Sequence, residues 1–130
     1  MADKKIMVDS TVLIDYFRKT DKSKSTLVKL SMNYDKIYIS TITEFEVING
    51  VTQAQLDFWN QMLRGFIILD FDSKAARQAA IIVQLLKTKR KSIDKPDLFI
   101  AATAISHSLT LDTSNKKDFE FIDSLNLLSG

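Results

Sequence analysis

A chain of 130 residues with 45% apolar and 26% charged side chains has the size and composition of one ordered domain that buries a core without staples. It has no cysteine and a single histidine, which excludes disulfide frameworks, thiol nucleophiles and cysteine- or multi-histidine metal sites, so any metal must rest on oxygen. Eighteen basic against sixteen acidic residues leave a formal charge of +2, too little to identify a polyanionic partner from net charge alone.

Met1-Ala2-Asp3-Lys4-Lys5 leads directly into the apolar run Ile6-Met7-Val8, without the basic-then-apolar pattern of a signal segment, and no later run reaches the roughly 20 apolar residues of a membrane span. A cytoplasmic protein with no membrane partner is expected. Ile6-Met7-Val8 reads as a buried central strand that hands over at Asp9-Ser10-Thr11 to a helix carrying Val12, Leu13, Tyr16 and Phe17. A second amphipathic segment is predicted from about Ser23 to Tyr34. Ile37-Tyr38-Ile39 forms the next strand, and Ser40-Thr41-Ile42-Thr43 opens a helix that stops near Gly50.

A helix over Gln53 to Leu63 then feeds the strand Phe66-Ile67-Ile68-Leu69. Trp59, Phe58 and Phe66 read as core or interface positions. A long helix from Ser73 to Leu86 ends in Lys87-Thr88-Lys89-Arg90-Lys91, either a solvated helix end or a basic segment that holds a phosphate backbone near an acidic pocket. Pro96 fits the first turn of a helix through about Ser106, and His107-Ser108 connects it to the strand Leu109-Thr110-Leu111. So short a link turns the chain back, placing Asp97 beside the carboxyl end of that strand. A short helix, Lys116 to Ile122, and a last strand, Leu125 to Leu128, complete a domain spanning 1–130.

Alternation of strands and helices predicts an α/β fold: a single three-layer domain with a mainly parallel central sheet flanked by helices. The crevice of such a sheet lies beyond the carboxyl ends of its strands. Asp9, Glu44 or Glu46, Asp97, and Asp112 with Asp118 arrive near that edge from four separate stretches of chain. Ionised carboxylates gathered in one pocket repel one another unless protons or a cation offset the charge, and an all-oxygen donor set suits Mg²⁺ or Mn²⁺. Such ions activate water and stabilise displacement at a phosphodiester.

Each acid also has an ordinary explanation. Asp9 can cap a helix, Asp97 can favour the positive end of one, and Asp118 follows Asn115 at a capping spacing. Glu44 and Glu46 each fit a capping box, and two residues apart on a helix they point about 200° apart, so local pattern does not choose between them. His107, without an acid or serine partner in the pattern, reads as a helix-end residue.

The blocks Val8-Asp9-Ser10-Thr11-Val12-Leu13-Ile14-Asp15, Ile39-Ser40-Thr41-Ile42-Thr43-Glu44-Phe45-Glu46-Val47 with Gly50, Pro96-Asp97-Leu98-Phe99-Ile100-Ala101-Ala102-Thr103-Ala104, and Leu109-Thr110-Leu111-Asp112-Thr113-Ser114-Asn115-Lys116-Lys117-Asp118-Phe119 together resemble the PIN-domain family, and within it the VapC-type toxins of toxin–antitoxin pairs. The resemblance covers nearly the whole chain. It implies a PIN-like fold and a Mg²⁺- or Mn²⁺-dependent endoribonuclease whose catalytic and metal-binding acids are Asp9, Glu46, Asp97 and Asp118. It selects Glu46 over Glu44, which becomes a cap or rim residue. Ser10, Thr11, Thr113 and Asn115 are implied as pocket-supporting residues. An RNA substrate, a cognate antitoxin protein and a homodimer are the implied partners. The sequence departs from the resemblance at Ser114, where an arginine is common, and at Asp112, an additional acid. A PIN-like binding module without catalysis is the alternative reading.

Overall fold

The computed structural model describes residues 3–129; Met1, Ala2 and Gly130 of the expected 1–130 domain lie outside the described residues. Four parallel strands form the sheet: β1 Lys5–Val8, β2 Lys36–Ser40, β3 Ile67–Leu69 and β4 Leu111–Asp112, in the spatial order β3-β2-β1-β4. The chain builds outward from β1 through β2 to β3, then returns to place β4 on the other side of β1. That reversal lies between β1 and β4, and in open parallel sheets a crevice forms where the order reverses. Asp9 follows β1 directly at this point.

β1 is a continuous apolar run because both of its faces are covered. Met7 belongs to a core with α5 Ser73–Thr88 and α6 Lys95–Ser106, built from Ile82, Leu86, Ile100 and Leu111. Val8 and Ile39 point to the opposite core with Val12, Leu13, Leu27, Leu30, Trp59 and Leu63, carried by α1 Ser10–Arg18, α2 Thr26–Asn33 and α4 Gln53–Leu63. α3 Thr41–Ile48 contacts both α1 and α6, and so spans the edge where the crevice opens. Trp59 is buried and packs its ring against Phe17 and Phe58, as expected of a core residue.

The second amphipathic segment resolves into a 3-10 turn, Lys22–Lys24, and α2, divided by Ser25, whose hydroxyl accepts from the Val28 N–H. Lys22 places its ammonium 3.1–3.2 Å from the carbonyl oxygens of Tyr16, Phe17 and Lys19, satisfying acceptors that the end of α1 leaves open. α3 stops because Gly50 turns the backbone to φ +91°, which glycine adopts without steric cost. α4 starts on a capping box formed by Thr52 and Gln55.

The final β region is shorter than its apolar pattern predicts. β4 is confined to Leu111–Asp112, and the expected strand Leu125–Leu128 survives only as one parallel bridge between Leu111 and Leu127. The link from α6 to β4 covers His107–Thr110 rather than two residues, because Leu109 N–H closes back on Ala104 O and Ser108 N–H on Ile105 O. This is a Schellman ending. Its left-handed residue is Ser108 at φ 56°. Likewise α7 is confined to Lys116–Phe119. Among the described residues no helix is long and apolar enough to cross a membrane.

Ser108 holds a conformation that disfavours a side chain. Ser108→Gly is therefore expected to stabilise the fold by about 0.5–1 kcal/mol, read as a rise of a few degrees in melting temperature.

Candidate metal and phosphodiester site

Asp9 sits where β1 becomes α1, and it is 2% exposed. Its carboxylate caps the helix by accepting from the Thr11 N–H at 3.1 Å, and Oδ1 accepts from the Thr11 hydroxyl as well. Oδ2 accepts from the Thr113 hydroxyl at 2.6 Å. Thr113 follows β4, is also 2% exposed, and its Oγ1 accepts from the Asn115 N–H at 3.0 Å. Thr11 Oγ1 in turn accepts from the Ser114 N–H at 2.9 Å. Two threonines thus clamp the carboxylate between the ends of adjacent strands. Capping and site-building are the same contact, so the cap explanation of Asp9 does not compete with the functional one.

Glu46, two turns into α3, receives the Ser10 hydroxyl at 3.1 Å on Oε1. That bond joins α3 to the first residue of α1 and turns the glutamate toward Asp9, whose charge it feels. Glu44 does not cap α3. Ser40 does, accepting from the Thr43 N–H at 3.1 Å, and Glu44 lies in the first turn, where its charge favours the helix dipole.

Asp97 lies in the first turn of α6. Asp94 is the N-cap residue but makes no side-chain cap bond. Asp118 is exposed on α7. Asn115 supplies its backbone to the Thr113 hydroxyl, and its side chain forms no cap bond on α7; the capping explanation of the Asn115–Asp118 spacing therefore fails.

Burial is the leading cause that raises Asp9, Glu46 and Asp97 above the usual carboxylate range. For Asp9 the Thr11 and Thr113 hydrogen bonds oppose that rise, and for Glu46 the Ser10 bond does. Asp97 is pushed up to about 6, by burial first and then by the charges of Asp118, Asp9, Glu46 and Asp94. The four acids singled out from the sequence therefore share one electrostatic environment.

Among the described residues no three acidic or histidine side chains are grouped tightly enough to enclose a metal ion as they stand. The acids feel one another's charge without forming a closed cage. Their chemistry nonetheless fits a hard divalent cation: the donors are all oxygen, two are fixed by hydroxyls, and their mutual repulsion is what a cation relieves.

Asp112 does not join them. It is buried on the other side of β4 and binds the Lys116 ammonium at 2.9 Å, while Lys116 also donates to Thr113 O at 3.1 Å. The pair lines a cavity of about 790 Å³ between α2 and the segment after β4, whose wall also includes Thr113, Asn115 and Asp118. His107 caps the C-terminus of α6, at the far end of that helix from Asp97. The clamp made by Thr113 links residues 104 apart, and only the family resemblance pointed to it.

The PIN domain family model matches residues 6–124. Ribonuclease VapC1 of Methanocaldococcus jannaschii is 37% identical over 119 residues, covering 91% of this chain and 81% of that protein. The tRNA(fMet)-specific endonuclease VapC of Shigella flexneri is 29% identical and covers 93% of this chain and 94% of its own. In the crystal structure of VapBC2 from Rickettsia felis bound to a promoter DNA fragment, one chain superimposes with a TM-score of 0.80 at 26% identity, covering 95% of this chain and 97% of that one.

The raised Asp97 predicts a specific pH dependence. Protonated Asp97 favours the folded state, a contribution present in full below pH 3.8 and lost as the pH rises through about 6. Partial exposure reduces the effect to on the order of 1 kcal/mol. In chelator, Asp97→Asn is expected to melt above the parent at pH 7 and level with it near pH 3.5; a lower melting temperature at pH 7 would mean that the carboxylate is structural.

Proposed function

The chain belongs to the PIN-domain family, and on that premise we propose that it is an endoribonuclease, the toxin of a toxin–antitoxin pair, that depends on Mg²⁺ or Mn²⁺. What supports the reading is that Asp9, at the strand end where the sheet order reverses, is tied to β4 by Thr113, that Ser10 beside it holds Glu46, and that the charges of Asp118, Asp9 and Glu46 add to burial in raising Asp97.

Asp9, Glu46 and Asp97 would hold the ion, and Asp118 at the rim would assist a second ion or orient a water. The bound cation would supply an activated water and neutralise charge building on the phosphodiester. The chain supplies position. Thr11 and Thr113 fix both oxygens of Asp9, and Ser10 fixes Glu46, so neither carboxylate must find its orientation when substrate arrives. No side chain need become a covalent nucleophile. Relatives named ribonuclease or endonuclease and the toxin–antitoxin complexes among similar structures support the activity, a cognate antitoxin and an RNA substrate for this chain. A homodimer is proposed on the family resemblance alone.

Asp9→Asn should lower RNA cleavage in Mn²⁺ by on the order of 100-fold or more while leaving the protein folded. Thr113→Val, which removes a hydroxyl from the Asp9 clamp, should weaken metal affinity by roughly 10-fold or more, measured by calorimetry. Added Mn²⁺ should raise the melting temperature of the parent and not of Asp97→Asn. A parent protein that binds neither ion and leaves RNA intact would instead be a PIN-like binding module.

A further inference from the structure

Lys87, Lys89, Arg90 and Lys91 divide by role. α5 ends in a second Schellman motif, with Arg90 at φ 56° and Lys91 N–H closing on Leu86 O at 2.9 Å. This turn folds the basic segment back over the chain that follows α7. Lys89 is consumed there: its ammonium donates to Phe121 O at 3.0 Å and to Asp123 at 2.7 Å. Lys91 places its ammonium 4.2 Å from the centroid of the Phe121 ring, which remains 39% exposed.

Lys91 and Phe121 line a cavity of about 270 Å³ together with Asp97, Asp118 and Lys117. Two acids of the candidate site therefore share one cavity with two cations and an exposed aromatic ring. Neither Lys91 nor Lys117 has an ion-pair partner among the described residues. A partly exposed ring with one ammonium over its face and a second cation in the same cavity is a combination that holds single-stranded nucleic acid, the exposed part of the ring stacking a base and the cations meeting the backbone.

We propose that Lys91, Lys117 and Phe121 form the subsite for the nucleotide flanking the cleaved phosphate in a single-stranded stretch of RNA, with its base against Phe121 and its phosphates between the two lysines. This rests on the nuclease reading above and adds where the strand lies. Lys89 is a positioning residue, since it touches only the backbone that carries Phe121 and the Asp123 carboxylate. The cavity that contains Lys29 shares Lys117 and Asp118 with this one but has no aromatic lining, so Lys91 and Phe121 against Lys29 distinguish the two paths for the strand.

The test is fluorescence anisotropy of a labelled single-stranded RNA of about 12 nucleotides, titrated with salt in EDTA, alongside KM for cleavage in Mn²⁺. The double variant Lys91→Ala, Lys117→Ala should lower the slope of log affinity against log salt by about 1.4, roughly 0.7 for each cation. Phe121→Leu should weaken binding about 5- to 150-fold, Phe121→Trp should restore it, and Lys29→Ala should leave it unchanged. Melting temperatures identify any variant that fails to fold; if Phe121→Leu does, the salt slope of the lysine variant decides alone. A parent that cleaves RNA while these variants keep its slope, affinity and KM overturns the subsite and leaves the nuclease reading intact, as does a loss seen only in Lys29→Ala. A parent that neither binds nor cleaves RNA overturns both.

Discussion

The buried carboxylate of Asp9 governs the architecture around it. Placing an ionised group at the end of a fully covered strand costs several kcal/mol unless hydrogen bonds and opposite charge offset it. The fold supplies the hydrogen bonds from two directions, Thr11 on the helix that follows and Thr113 on the neighbouring strand's exit. These contacts require β4 to lie beside β1, so the long return of the chain through α5 and α6 is also what builds the clamp. The remaining acids add charge where neutralisation is already incomplete. Burial and mutual repulsion then hold Asp97 above the usual carboxylate range, at about 6, which leaves the acid cluster electrostatically frustrated.

Much of this was legible along the chain because strong local signals coincide with tertiary ones. Ile6-Met7-Val8 is apolar throughout because both faces of β1 are covered, and the change of residue type at Asp9 marks both the strand's end and the cap. α4 and α5 carry apolar residues at helical spacing and fall within two residues of their expected ends. The edge of the sheet was harder to read. Leu125–Leu128 has the composition of a strand, yet only Leu127 finds a bridge, because ladder formation depends on a partner that β4 is too short to provide.

The site divides in the same way. That acids gather beyond the strand ends follows from topology, whereas which acids face the crevice depends on contacts across distant sequence. Ser10, 36 residues from Glu46, identifies the glutamate that turns inward; nothing within α3 does so. Asp112 is equally acidic and adjacent to Thr113, but the alternation of side chains along β4 sends it to the other face, where Lys116 one helical turn later compensates it. The basic segment after α5 likewise looked uniform in sequence. A left-handed turn at Arg90 separates it into one lysine that ties two loops together and another that lies over a partly exposed ring.

This division of charges explains how a chain of nearly balanced composition can face a polyanion. Cations placed against the clustered acids would form ion pairs with them and compete with any metal for the same oxygens. Asp112 takes up Lys116 on the far side of β4, and Asp123 takes up Lys89 behind the Phe121 loop, so the basic residues nearest these segments are either bound to acids outside the acidic cluster or held on the cavity wall. On the proposed reading, an RNA phosphate approaching the acids would meet positive charge first at the wall, and the carboxylates beyond it would repel it until a dication intervened. Net charge is silent about such an arrangement because both signs stand within one cavity: in the proposed reading the acids would retain the metal and the lysines would admit the strand.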